Sequence, residues 1–296
     1  MKKKLTIFTP TYNRCENLKS LYNSLQKQTN LNFNWLIIDD GSIDGTAKYV
    51  ESIKKGEDIY IEYYYKKNGG KISALKMALE KCNTEYFVCV DSDDILMEND
   101  VEEIYNQLEL LKDGKIGVVF PRKSARVDLK LLESLNFKLI DIMDLKFLTN
   151  RTIETTIVFE TKYLKKIRIP IVENEKFMSE EILYNKISSL GKFIYINKFV
   201  VESEYLENGL TINLYNNYKK NFHSTIMLFN SRFLFLDKYK FKIKYINKIK
   251  TIININALSF YSKKNIFKYT PSKILSFLLI PVSLVWGRRK YGKNIN

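Results

Sequence analysis

Three carboxylates, Asp91, Asp93 and Asp94, fall within four residues directly after the apolar run YFVCV at 86–90. Burying an unpaired carboxylate is costly, so these side chains need water, donors or a cation where the strand ends. Asp91 and Asp93 are two apart and share one side of an extended backbone. Paired hard oxygens suit Mg²⁺ or Mn²⁺, which take the rest of their shell from waters and substrate phosphates. The competing reading is a turn and helix start, for which Asp is equally suited.

Three other polar motifs have the same relation to an apolar run. In IIDDGSIDGT (37–46) an Asp at the strand end can accept from a base imide or a ribose hydroxyl, Gly41 and Gly45 permit a tight turn, and Asp44 is expected to cap the next helix. TPTYNR (9–14) offers Thr11 as a polar contact and Tyr12 as a flat surface on which a nucleobase can stack. NGGK (68–71) sets Lys71 after two glycines, where an ammonium can offset phosphate charge. GxxxxGK[ST] is absent, so P-loop phosphoryl transfer is unsupported.

Several chemistries are excluded or left weak. His223 is the only histidine, which rules out a histidine-cluster metal site. Cys15, Cys82 and Cys89 are odd in number and lack CxxC spacing, so neither a disulfide framework nor a thiolate zinc site is indicated, and a reducing, cytoplasmic compartment fits.

The net charge of +15 is concentrated at one end. Residues 238–296 hold 14 Lys or Arg and no acid, leaving 34 basic against 33 acidic residues before them. ILSFLLIPVSLVW (274–286), broken by Pro281 and followed by GRRKYGK, is too short to span a bilayer, which takes about 20 residues. A segment over 274–290 lying on an anionic membrane surface fits both features. Basic residues interleaved with Ile, Phe and Tyr argue against a nucleic-acid tail. At the other end LTIF (5–8) is too short for the apolar core of a signal peptide.

Apolar runs at 5–8, 34–38, 59–65, 86–90 and 116–120 alternate with helical spacing at 14–29, 44–55, 72–82 and 98–112. That alternation predicts an α/β fold, a mostly parallel sheet flanked by helices, whose ligand site lies beyond the carboxyl ends of the strands. All four polar motifs lie at that rim. Further on, TIETTIVFE (152–160) predicts a strand, SEEILYNKISSLGK (179–192) a helix ended by Gly191, and FIYINKFVVES (193–203) another strand. Residues 213–262 read as mainly helical, giving a core of 1–210 and a helical, basic extension of 211–296.

TIFTPTYNR, QKQTNLNFNWLIIDDGSIDGT, NGGKISALKMAL and YFVCVDSDDIL, in this order and spacing, resemble the inverting family 2 glycosyltransferases of the Rossmann-like GT-A fold, especially bacterial capsule and exopolysaccharide enzymes. The resemblance covers residues 4–100 closely and extends to about 210 through SEEILYNKI and EYLENGLT. It implies that Pro10, Thr11, Tyr12, Asp40 and Ser42 line a nucleoside pocket, with Lys71, Asp91 and Ser92 also on the nucleotide. By the same resemblance Asp91 and Asp93 match the DxD that meets ribose and a Mn²⁺ or Mg²⁺ diphosphate, and Asp94 is the substitute ligand. A UDP-sugar donor, a lipid-linked or polysaccharide acceptor and a peripheral position at the inner face of the cell membrane complete the implied picture.

An inverting transferase needs a base for the acceptor hydroxyl. The family places an acid at a helix start near residue 180, where FMSEEIL offers Glu180 and Glu181, with Glu180 preferred. Acids in a first helical turn also simply complement the macrodipole. Two other classes compete: a sugar-phosphate nucleotidyltransferase, disfavoured because TPTYNRCENL lacks glycine, and a non-catalytic nucleotide- or nucleic-acid-binding protein on a similar sheet.

Overall fold

A computed structural model of the chain describes residues 3–54, 56, 58–112, 114–122, 129–147, 154–203 and 213–292. Its strands are β1 (Leu5–Thr11), β2 (Phe33–Asp39), β3 (Tyr60–Tyr65), β4 (Tyr86–Cys89), β5 (Asp94–Ile95), β6 (Lys115–Pro121), β7 (Leu139–Ile140), β8 (Thr155–Glu160), β9 (Lys192–Tyr195) and β10 (Glu202–Ser203). Its helices are α1 (Cys15–Gln26), α2 (Thr46–Ile53), α3 (Lys71–Lys81), α4 (Asp100–Leu108), α5 (Leu129–Leu135), α6 (Asp144–Phe147), α7 (Thr161–Leu164), α8 (Glu181–Ile187), α9 (Leu214–Lys220), α10 (Phe222–Phe235), α11 (Phe241–Tyr261), α12 (Ile266–Tyr269) and α13 (Lys273–Tyr291).

The chain divides into two compact units, one of residues 1–169 with 186–205, the other of 170–185 with 206–296. The expected boundary at 210 and the EYLENGLT match lie outside the described residues, and the second unit also takes in 170–185.

In the first unit eight strands form one sheet in the order β3-β2-β1-β4-β8-β6-β9-β7. The first four are mutually parallel, β8 runs antiparallel between β4 and β6, and β9 is parallel to β6, so the sheet is mostly parallel but mixed. Alternation along β1 and its neighbours sorts the core. Leu5, Ile7, Trp35, Ile37 and Val88 pack with Leu18, Leu21 and Leu25 of α1 and Val101, Ile104 and Leu108 of α4. Phe8 and Phe87 stack on each other, and α3 packs against β1 and β2 with Ile72, Ala74, Leu75, Ala78 and Leu79 buried. Burial on both faces is why these strands read as unbroken apolar runs.

Three sequence expectations change. The strand predicted over 152–160 is ordered as β8 from Thr155, residues 152 and 153 lying outside the described ones. FIYINKFVVES is not one strand: β9 ends at Tyr195 and pairing resumes only at β10. Ile196, whose N–H still donates to the Val119 carbonyl of β6 at 2.9 Å, and Val200 and Val201 beyond it are buried in the core, which reproduces the apolar pattern of a strand. The helix predicted through 192 stops at Ile187, and Gly191 is not its left-handed cap. Gly191 is needed for close approach, since a Cβ there would lie 2.5 Å from Ile116 Cγ2 and 2.6 Å from the Gly114 carbonyl.

The second unit is helical. Tyr218 of α9 is buried among Phe177, Tyr215 and Phe229, and Tyr215 meets Tyr291 edge to face. Helices α11 and α13 pack along each other, with Asn256 Nδ2 donating to the Ser276 carbonyl at 2.9 Å. Ser272 caps α13, its Oγ accepting from Leu275 N–H at 3.4 Å.

Candidate active site

At the carboxyl ends of β1 to β4 the four polar loops meet in the first unit, each fixed by bonds to the next. The β1 and β2 loops are stitched by Asn13, whose N–H donates to Ser42 Oγ and whose Oδ1 accepts from Ile43 N–H, both at 2.9 Å. Asn13 has φ 51°, a left-handed conformation that Asn tolerates better than most residues. Asp44 lies one position before the α2 cap, Gly45, and accepts from Thr46 N–H and Oγ1 and from Cys15 N–H. Burial alone would raise the Asp44 pKa, but these donors hold it below the ordinary carboxylate range.

Of the two aspartates of DDGS, the fully buried Asp39 accepts from Ser42 N–H at 2.7 Å and from the Tyr63 hydroxyl at 2.7 Å. Asp40 is 5% exposed and holds the third loop, accepting from Lys66 Nζ at 2.6 Å, Gly69 N–H at 2.9 Å and Gly70 N–H at 2.7 Å. Gly70 has φ 84° and ψ 166°, a region closed to side chains, which lets its N–H turn toward that carboxylate. Both Asp40 oxygens thus serve the loop in this structure.

The DSDD aspartates each face a cation from a different segment. Lys71 Nζ, at the start of α3, lies 2.6 and 2.8 Å from the two Asp91 oxygens. Arg14 Nη1, at the start of α1, lies 2.8 Å from Asp93 Oδ2. Arg122 Nη1, just past β6, lies 2.8 Å from Asp94 Oδ2, which also accepts from Asp91 N–H at 3.2 Å. Burial opposes charge on Asp91, yet Lys71, then Arg122 and Arg14, keep its pKa below the usual carboxylate value. Asp94 is 3% exposed, belongs to β5 and pairs in register with Ser203 of β10, so it braces the motif from behind. Ser92 is buried beside it.

Around this acidic row Tyr12 is 49% exposed, Pro10 is half-buried and Thr11 is 2% exposed. The Thr11 Oγ1 is buried and has no hydrogen-bond partner, an unmet donor and acceptor at the end of β1. Among the described residues no group of three or more His, Cys, Asp or Glu is arranged to hold a metal by itself. The carboxylates of Asp91 and Asp93 nevertheless have the hard-oxygen chemistry that Mg²⁺ or Mn²⁺ uses when a diphosphate supplies the other ligands.

In the second unit the two candidate bases differ sharply. Glu181 opens α8, is 8% exposed and receives Arg232 from α10 in a fork, Nε to Oε1 at 2.5 Å and Nη2 to Oε2 at 2.6 Å. Burial would lower the Arg232 pKa, but the Glu181 charge outweighs it and the pKa is raised. Glu180 is half-buried and accepts from the Tyr184 hydroxyl at 3.2 Å.

Composition and spacing singled out the aspartates, Lys71 and Tyr12, but not Arg14, Lys66, Arg122 or Tyr63. Arg14 stands inside TPTYNR and was the one with a local signal, a cation in a strand-end motif. Lys66 and Arg122 reach their partners across 26 and 28 positions with no periodic mark in the sequence.

A mixed α/β sheet with an acidic motif closing its fourth strand and polar loops at the same rim defines a GT-A architecture. The chain belongs to glycosyl transferase family 2, whose model matches residues 6–173. A glycosyltransferase of Rickettsia bellii (strain RML369-C) is 32% identical over 136 residues, 45% of this chain and 19% of that protein. Poly(ribitol-phosphate) beta-N-acetylglucosaminyltransferase TarP of Staphylococcus aureus (strain N315) is 28% identical over 228 residues, 72% of this chain and 69% of TarP. The crystal structure of S. aureus TarS 1-349 in complex with UDP-GlcNAc superposes with a TM-score of 0.62 at 17% identity, covering 97% of this chain and 89% of that one. That likeness establishes the fold. The chain spans about a fifth of the length of the Rickettsia relative.

Proposed function

We propose that the protein moves a sugar from a nucleoside diphosphate donor, a UDP-sugar first, to a hydroxyl of a glycan or polyol-phosphate polymer, free or lipid-linked, with inversion at the anomeric carbon. The observation that carries this reading is the Asp91 and Asp93 pair, each matched by a cation from another loop, at the carboxyl ends of the strands.

Tyr12 offers the nucleobase a face, and the unpartnered Thr11 hydroxyl offers the nucleoside a polar contact. Asp40 contributes by fixing the Gly69–Gly70 backbone, and Ser42 by tying the first two loops together. To Lys71 and Arg14, the cations beside Asp91 and Asp93, we assign the offsetting of diphosphate charge. Asp91 and Asp93, whose side chains are 28% and 22% exposed, are the residues we assign to Mn²⁺ or Mg²⁺, and Asp94, its side chain only 4% exposed against Arg122, is left out of that set. When bound, the cation would neutralise charge on the departing diphosphate.

For inversion, the acceptor oxygen attacks the anomeric carbon from the side opposite the diphosphate. The carbon–oxygen bond to the diphosphate breaks with its electron pair going to that leaving group, and the acceptor proton passes to a base. We assign the base to Glu180, because the Glu181 carboxylate is already forked onto Arg232. A cytoplasmic position at the inner membrane surface also belongs to this reading, supported by the basic 238–296 segment; no helix among the described residues is long and apolar enough to cross a membrane.

Calorimetric titration with UDP, GDP and CDP, with and without Mn²⁺, tests the proposal. Metal-dependent binding of UDP that disappears in Asp93→Ala is the expected result. A folded protein that takes up no nucleotide under any metal condition would overturn it.

A further inference from the structure

Helix α13 is inside out. Its buried positions carry the small residues Ser276, Ser283 and Gly287 together with Tyr291, while the bulky apolar Ile274, Phe277, Leu278, Val282 and Val285 point to solvent. These five recur at helical spacing and form one stripe. Their exposure runs from 52% for Val282 to 76% for Ile274. The small side is required by the fold of the second unit: a Cβ on Gly287 would come within 2.5 Å of the Tyr261 ring, so α11 and α13 approach closely there.

We infer that the outward stripe of α13 is the face by which this protein lies on an anionic lipid surface. The inference rests on the membrane part of the reading above and gives it a residue-level surface. An apolar stripe on water is unstable unless something covers it. The choice of occupant follows from charge. Lys273 begins the helix, and exposed Arg288, Arg289 and Lys290 end it, so the stripe is bracketed by cations. No acid occurs anywhere from 238 to 296. A second copy docking the same helix would set cation against cation with no carboxylate in that segment to relieve it, whereas phosphate headgroups meet both ends while the stripe enters the acyl boundary. Pro281 lies on the exposed side, where a helix in the interface plane tolerates the lost hydrogen bond better than a spanning one.

Co-sedimentation of the full chain with vesicles of equal phosphatidylglycerol and phosphatidylcholine, against pure phosphatidylcholine, reads the surface directly. We expect binding to the anionic vesicles only, and a loss of at least about tenfold in the triple variant F277S/L278S/V282S, with thermal unfolding unchanged because these side chains are exposed. The charge variant R288E/R289E should fall by a similar factor. As a readout independent of deletion, the tryptophan of Val282→Trp should be quenched by brominated lipid. Undiminished vesicle binding in the folded triple variant would overturn the inference. So would a wild-type dimer in sedimentation velocity that the triple variant turns monomeric. UDP binding measured on the same samples separates the two readings: nucleotide bound without vesicle binding fails the surface alone, and vesicle binding without any nucleotide fails the transferase.

Discussion

Arg14 and Asp93 are joined through Nη1 and Oδ2 at 2.8 Å, so in this structure a guanidinium from the first loop occupies the acidic oxygen at which a divalent cation is proposed to bind. Cation and arginine compete for one charge. The pair is partly solvent-exposed and is worth at most about 1 kcal/mol, or roughly fivefold in an equilibrium constant. Arg14→Ala is therefore expected to tighten Mn²⁺ binding without nucleotide by up to about fivefold, measured by the electron paramagnetic resonance signal of free Mn²⁺. Weaker Mn²⁺ binding in that variant would mean that Asp93 is not the cation's ligand.

Glu180 and Glu181 should separate into a chemical and a structural role. Removing one partner of a buried, forked ion pair leaves the other charge uncompensated and costs about 3–5 kcal/mol. Glu181→Gln is accordingly expected to lower the thermal midpoint by several degrees. Glu180→Gln should melt as the wild type does, bind UDP as the wild type does, and lose sugar transfer by at least about a hundredfold. Transfer that survives in the Glu180 variant would remove it as the base.

Asp100 predicts an unusual pH dependence in the first unit. Burial raises its pKa to about 6, opposed by its bond from Met97 N–H and reinforced by Glu103 and Glu202. A carboxyl whose pKa is higher folded than unfolded stabilises the protein while protonated, so stability falls as pH rises from about 4 to about 6 and the loss is complete above that. The α4 N-terminus favours the charged form and trims the effect to about 1–2 kcal/mol. Asp100→Asn, which keeps an acceptor for Met97, should melt a few degrees above wild type at pH 7.5 and equal it at pH 4. A constant offset across that range would show that Asp100 does not titrate there.

The four loops were legible because a parallel sheet buried on both faces compresses its chemistry into strand ends, so TPTYNR, DDGS, NGGK and DSDD stand out against continuous apolar runs. What the sequence left open was how the acids are satisfied. Arg14, Lys66 and Arg122 pair at separations that leave no pattern, and the two-residue strands β5 and β10 are too short to carry periodicity. The inversion of α13 was equally hidden. Ser276, Ser283 and Gly287 look like weak points in an apolar helix until α11 is seen to need the space.

Close packing of the sheet supplies another expectation. Gly117 in β6 lies so near its neighbours that a Cβ would sit 2.4 Å from the Val158 carbonyl and 2.9 Å from the Phe193 ring. The carbonyl belongs to the sheet ladder and cannot retreat without breaking register. Gly117→Ala should therefore destabilise the first unit by about 1–3 kcal/mol, lowering its unfolding midpoint in urea while the slope stays constant.

The proposed donor site assigns the base of the nucleotide to Tyr12. It is 49% exposed at the carboxyl end of β1, next to the buried and unpartnered Thr11 hydroxyl. A stacked nucleobase on an aromatic ring contributes about 1–3 kcal/mol, which is roughly fivefold to 150-fold in affinity. Tyr12→Ala should weaken UDP binding within that range, and Tyr12→Phe, which keeps the ring and drops only the hydroxyl, should bind within about twofold of wild type. Loss in both variants would assign the contribution to the hydroxyl and not to stacking, and loss in neither would move the nucleoside away from β1, taking the Thr11 contact with it.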